Sequence, residues 1–75
     1  MEYREVRFGY KRIRLAVGQR YIAARSGKHV LIRSKCAGVI YPPEVGRMYF
    51  DRPRSAQRAL EALREQIREI NDLAA

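Results

Sequence analysis

Two side chains that could act as nucleophile, base or metal ligand occur once each, His29 and Cys36. Acid–base catalysis needs a second titrating group within hydrogen-bond reach. His29 lies in Gly27-Lys28-His29-Val30 with no such group spaced to assist it, so an edge-strand histidine is the reading adopted. Cys36 follows Lys35 and stands near Arg33, neighbours that lower a thiol pKa, but alone it reads as a small structural thiol. Zinc asks for about four Cys or His ligands, and only these two exist. Ahead of residue 55 the carboxylates Glu2, Glu5, Glu44 and Asp51 are too scattered to gather around Mg²⁺. Gly9, Gly18, Gly27, Gly38 and Gly46 punctuate turns and form no phosphate loop. The expectation is a protein without enzymatic activity, cofactor or metal.

What remains chemically loud is cationic. Sixteen Lys and Arg face eight Asp and Glu, for a net charge of +8. Residues 1–54 hold thirteen basic and four acidic side chains, whereas 55–75 hold three and four. The whole surplus therefore sits ahead of the last segment, as expected of a basic face that attracts an anionic partner. Arginine dominates, and its planar fork bonds phosphate and guanine with two parallel N–H groups.

These residues must be held by elements readable from period and punctuation. Over residues 11–17, Ile13, Leu15 and Val17 alternate with Arg12, Arg14 and Ala16, the period of a strand with one buried face. Gly18-Gln19 fits a two-residue hairpin turn into a second strand at 20–25. Ser26-Gly27 turns the chain into a third at 28–34, with Val30 and Ile32 opposite His29, Leu31 and Arg33. Residues 5–8 add a leading strand that turns at Gly9-Tyr10. Val39, Ile40 and Tyr41 could make a short strand ended by Pro42 and Pro43; 42–46 reads as loop and 47–50 as a last strand.

Ala56, Leu60, Leu63, Ile67, Ile70 and Ala74 then recur at intervals of three and four, one stripe of a helix over 53–74. Pro53 suits its first turn, with Asp51 or Ser55 as cap. Glu61–Arg64, Glu65–Arg68 and Arg68–Asp72 are spaced to pair along its outer surface. Such a helix, about 30 Å long, outruns strands of about 20 Å. Its far end, carrying Ile67, Ile70 and Leu73, needs cover from the N-terminal segment or from a second copy in a homodimer.

The predicted fold is α+β: an antiparallel meander of three to five strands (1–52) with one long C-terminal helix packed on one face, in a single domain over 1–75. If Ile13, Leu15 and Ile22 face that helix, then Arg12, Arg14, Tyr21, Arg25 and Arg33 stand on the open face. Lys11, Lys28 and Lys35 lie at its edges. An arginine- and tyrosine-bearing sheet suits nucleic acid, through phosphate forks and rings that stack on bases.

Tyr49-Phe50-Asp51 followed by Ala56 and Leu60 resembles the strand-to-helix junction of the small sheet-plus-helix domains at the N-termini of tyrosine recombinases. That resemblance, over about a fifth of the chain, implies a three-stranded sheet laid into the DNA major groove. The sequence departs from the pattern at Arg52, where Ser or Thr is usual, and at Pro42 and Pro43. The same junction is similar to one in small phage proteins, including inhibitors of CRISPR complexes.

No apolar run approaches the about 18 residues of a membrane span. The charged start excludes a signal peptide, and one cysteine permits no internal disulfide, so a cytoplasmic location is expected. The functional expectation is a nucleic-acid-binding module, DNA favoured over RNA, encoded by a phage or mobile element. Its alternative is a small inhibitor or adaptor docking on an acidic host protein or nucleoprotein through the basic face and the 35–47 loop, with Val39, Ile40, Tyr41 and Val45 as contacts.

Overall fold

The computed structural model describes residues 2–35 and 43–74. Among them the chain forms β1 (Tyr3–Phe8), β2 (Lys11–Ala16), β3 (Arg20–Ser26), β4 (His29–Lys35), β5 (Glu44–Tyr49) and α1 (Pro53–Leu73). This is the expected α+β fold of antiparallel strands with a C-terminal helix packed on the sheet. The strands divide between two sheets: β1 pairs with β2, and β3, β4 and β5 pair in that order.

The division explains one departure from the sequence reading. Gly18-Gln19 does not turn a hairpin, because β2 and β3 are unpaired; it carries the chain from one sheet to the other. Where a β3 backbone would have met β2, the Ala16 N–H instead donates to the Tyr21 hydroxyl at 3.0 Å. A second departure concerns 44–46, expected as loop. Glu44 to Gly46 already belong to β5, with a bulge at the step from Ile32 to Arg33 that absorbs Val45.

Both sheets turn their apolar faces to one core. Val6, Phe8 and Leu15 from the hairpin meet Tyr21, Ala23, Val30, Ile32 and Met48 from the larger sheet. The helix adds Ala56, Leu60, Leu63, Ile67 and Ile70, the stripe predicted from spacing. The hairpin packs over Gly46, where a Cβ would meet the Phe8 ring at 3.4 Å, an ordinary contact. Gly9, at φ 64° in the β1–β2 turn, is packed so tightly that a Cβ would run into the Met48 sulfur.

The helix completes the fold by satisfying two strand edges. Gln66 accepts from the Arg7 N–H at 2.8 Å and donates to its carbonyl at 2.9 Å, capping the free edge of β1. Asn71 does the same for Tyr21 on β3, at 2.8 and 3.0 Å. Arg64 donates to the Ala23 carbonyl rather than to Glu61, while Glu65 and Arg68 pair at 3.6 Å as their spacing predicts. The overhang that called for cover finds it within the chain. Ile67 and Ile70 are buried in the same core as β1, and Leu73 alone of the three stays exposed. At the other end the cap is Arg52, with no side-chain bond to the helix; neither Asp51 nor Ser55 takes that place, because Pro53 opens the first turn. Among the described residues no helix is long and apolar enough to cross a membrane.

Candidate nucleic-acid interface

Alternation along the larger sheet fixes which side chains leave the core. Since Val30, Ile32 and Met48 point inward, β4 sends His29, Leu31, Arg33 and Lys35 outward, and β5 sends Arg47 and Tyr49. On β3 the inward residues are Tyr21 and Ala23, so Arg20, Ile22 and Ala24 face out. This reverses the expected parity. Tyr21, 6% exposed, belongs to the core. Arg25 shares its parity and braces the helix start, its Nε donating to Gln57 at 2.9 Å and Nη1 to the Gly27 carbonyl at 2.8 Å.

The other predicted site residues are dispersed. Arg12 and Arg14 stand on the outer face of the hairpin, a separate sheet from Arg33 and Lys35. Arg12 lies 3.4 Å from Glu5, and the groove beside it is also lined by Glu65, so this face mixes both signs. Lys11 pairs opposite Phe8 at the hairpin end, and Lys28 occupies the β3–β4 turn. Val45 is exposed at the bulge of β5; Val39, Ile40 and Tyr41 lie outside the described residues.

What the structure assembles instead is the outer face of β3–β4–β5. Arg20 lies directly opposite Lys35, two exposed cations in cross-strand register. Like charges so placed repel, and neither makes an ion pair among the described residues. Next along the sheet, Ile22 opposes Arg33 and Ala24 opposes Leu31, whose far neighbour is Arg47. Ile22 is 41% and Tyr49 57% exposed. The Tyr49 ring rests against His29, centroids 5.1 Å apart and planes tilted by 60°.

Among the described residues one acid serves this face. Glu44 accepts from Arg47 through both oxygens, at 3.0 and 3.1 Å. That hydrogen bond, with the charges of Arg47 and Arg33, holds the Glu44 carboxyl below its ordinary value despite some desolvation, and it raises Arg47 in return. Arg47 is thereby fixed and occupied, whereas Arg20 and Lys35 have no counter-charge among the described residues.

Arg20, Arg47 and Tyr49 are the outward residues that pattern reading passed over. A signal for them exists. Any two-residue turn at 26–28 sets even positions of one strand against odd positions of the other. Inward Val30 and Ile32 therefore require inward Tyr21 and Ala23, and release Arg20 and Ile22. Comparison with known families, curated proteins and solved structures finds no match to the chain. The functional reading rests on the residues of this face.

Proposed function

We propose that the chain is a non-enzymatic nucleic-acid-binding module, with DNA as its partner, and that the outer face of β3–β4–β5 is the contact surface. The observation that carries this is the pair Arg20 and Lys35, without a counter-charge among the described residues, beside Arg33 at one end of the face, with an exposed Tyr49 at the other end. Two cations held in register gain most from an anion that sits between them, and a phosphate backbone supplies such anions in series. His29 packs on Tyr49 and has no carboxylate partner among the described residues, which suits a binding surface better than a hydrolytic one.

The second reading, an inhibitor or adaptor that docks on a protein, keeps one described element in Val45, exposed beside the same face. Amide NMR during titration with a DNA oligonucleotide separates the two. Binding through this face shifts residues 20–24, 29–35 and 44–49 and leaves 3–16 in place. A spectrum that stays unchanged would remove nucleic acid as the partner and leave an acidic protein surface.

A further inference from the structure

Resting on the proposal that the outer face of β3–β4–β5 binds nucleic acid, we infer that the form it takes is a single strand, seated with a base on the Tyr49 ring. A reader of the duplex major groove brings hydrogen-bonding side chains to base edges from the middle of its surface. The side chains between the cations of this face are Ile22, Ala24 and a largely buried Leu31, none able to donate or accept. Two guanidiniums flank that centre, Arg33 opposite Ile22 and Arg47 opposite Leu31, and Arg47 has Nε and Nη2 committed to Glu44. Asn and Gln, which read adenine, are absent from the outward positions; Asn71, Gln57 and Gln66 are spent on the helix contacts.

Single strands offer what this face can use. Their bases expose flat π surfaces that stack on an aromatic ring or lie over aliphatic side chains, while the backbone follows cations at the margins. Tyr49 presents such a ring, with one side steadied by His29, and Ile22 offers an aliphatic neighbour. Arg20 and Lys35 mark one end of the face and Lys28 the other, at the β3–β4 turn. From 29 to 35 the central strand runs about 20 Å, room for a few nucleotides.

The test uses the full chain and a labelled oligodeoxynucleotide of about 12 residues, free and annealed to its complement, at low salt. Single strand is expected to bind about tenfold more tightly than duplex. Tyr49→Ala should weaken the single-strand complex by about tenfold and leave duplex binding unchanged, while Tyr49→Phe keeps the wild-type preference. The site is exposed, and a circular dichroism spectrum of each variant confirms the fold. Equal or tighter binding of duplex would overturn the inference, as would a Tyr49→Ala variant that binds single strands like the wild type; binding as such would then still stand. Failure to bind either probe would remove the proposed function and this inference with it.

Discussion

Asn71 of α1 holds both backbone groups of Tyr21 in β3, accepting from its N–H at 2.8 Å and donating to its carbonyl at 3.0 Å. A side-chain amide thus stands in for a neighbouring strand. Gln66 does the same for Arg7 on β1, so one helix closes two strand edges from its two flanks. The consequence for function is orientation. With the Tyr21 backbone clasped and its hydroxyl accepting from Ala16, the Tyr21 ring belongs to the core and Arg20 and Ile22 to the outer face.

Removing that clasp should cost much of the fold's stability. Asn71→Leu leaves a partly buried N–H and carbonyl without partners, a loss of about 2 kcal/mol. A chain of this size has only about 3–5 kcal/mol to lose. The urea midpoint is expected to fall steeply. Affinity measured where the variant remains folded should match the wild type, since Asn71 does not reach the outer face.

Gly9→Ala tests the packing of the hairpin on β5. The residue sits at φ 64°, where a side chain is strained, and a methyl group would press on the Met48 sulfur. Destabilisation of about 1–3 kcal/mol by thermal or urea unfolding is expected.

Glu44 competes for Arg47 with any anion that would sit on the outer face. Glu44→Gln removes the carboxylate that holds Arg47 and frees that guanidinium for phosphate. Affinity for a polyanion should rise a few-fold, with the salt dependence steeper by about one counterion. The pH dependence carries the same sign. The folded-state pKa of Glu44 lies below its ordinary 4.5. Its contribution to stability is therefore present above pH 4.5 and lost as the pH falls through the lowered folded value. The stabilities of the wild type and Glu44→Gln should differ above pH 4.5 and converge as the pH falls through that window.

His29 carries a buried Nδ1 that has no hydrogen-bond partner among the described residues, while its ring packs on Tyr49. An unpaired buried polar atom costs about 1–3 kcal/mol. His29→Phe keeps the ring contact and removes the unpaired atom, so a higher melting temperature with nucleic-acid affinity retained is expected. Were His29 a catalytic base, the same variant would abolish a nuclease activity that the wild type displays.

Much of this fold is legible in the sequence because its signals are local. The stripe from Ala56 to Ile70 needs only helical spacing, and the strands need only alternation between turn residues. The face of β3 was harder because it depends on which strand β3 pairs with. Taking Gly18-Gln19 for a hairpin turn ties Ile22 to the parity of Leu15 and turns Tyr21 outward. Pairing β3 with β4 alone ties Ala23 to Ile32 and turns Tyr21 inward. Local pattern cannot choose between these pairings, since both Tyr21 and Ile22 can fill a core. The choice is made by contacts far apart in sequence, Asn71 to Tyr21 and Tyr21 to Ala16. The candidate site inherits that difficulty: Arg33 and Lys35 are readable from β4, whereas Arg20, Arg47 and Tyr49 join them only once the sheet order is known.

The central claim, that the outer sheet face binds nucleic acid, is tested most directly by anisotropy of labelled single-stranded and duplex DNA at about 50 and 200 mM salt. Three proteins are compared: wild type, Arg20→Glu with Lys35→Glu, and Arg12→Glu with Arg14→Glu. Wild-type binding is expected to weaken about tenfold or more across that salt step. Binding should be lost in the first double variant and largely kept in the second, whose arginines lie on the other sheet. Absence of wild-type binding at the lower salt, or loss in the second double variant with retention in the first, would contradict it.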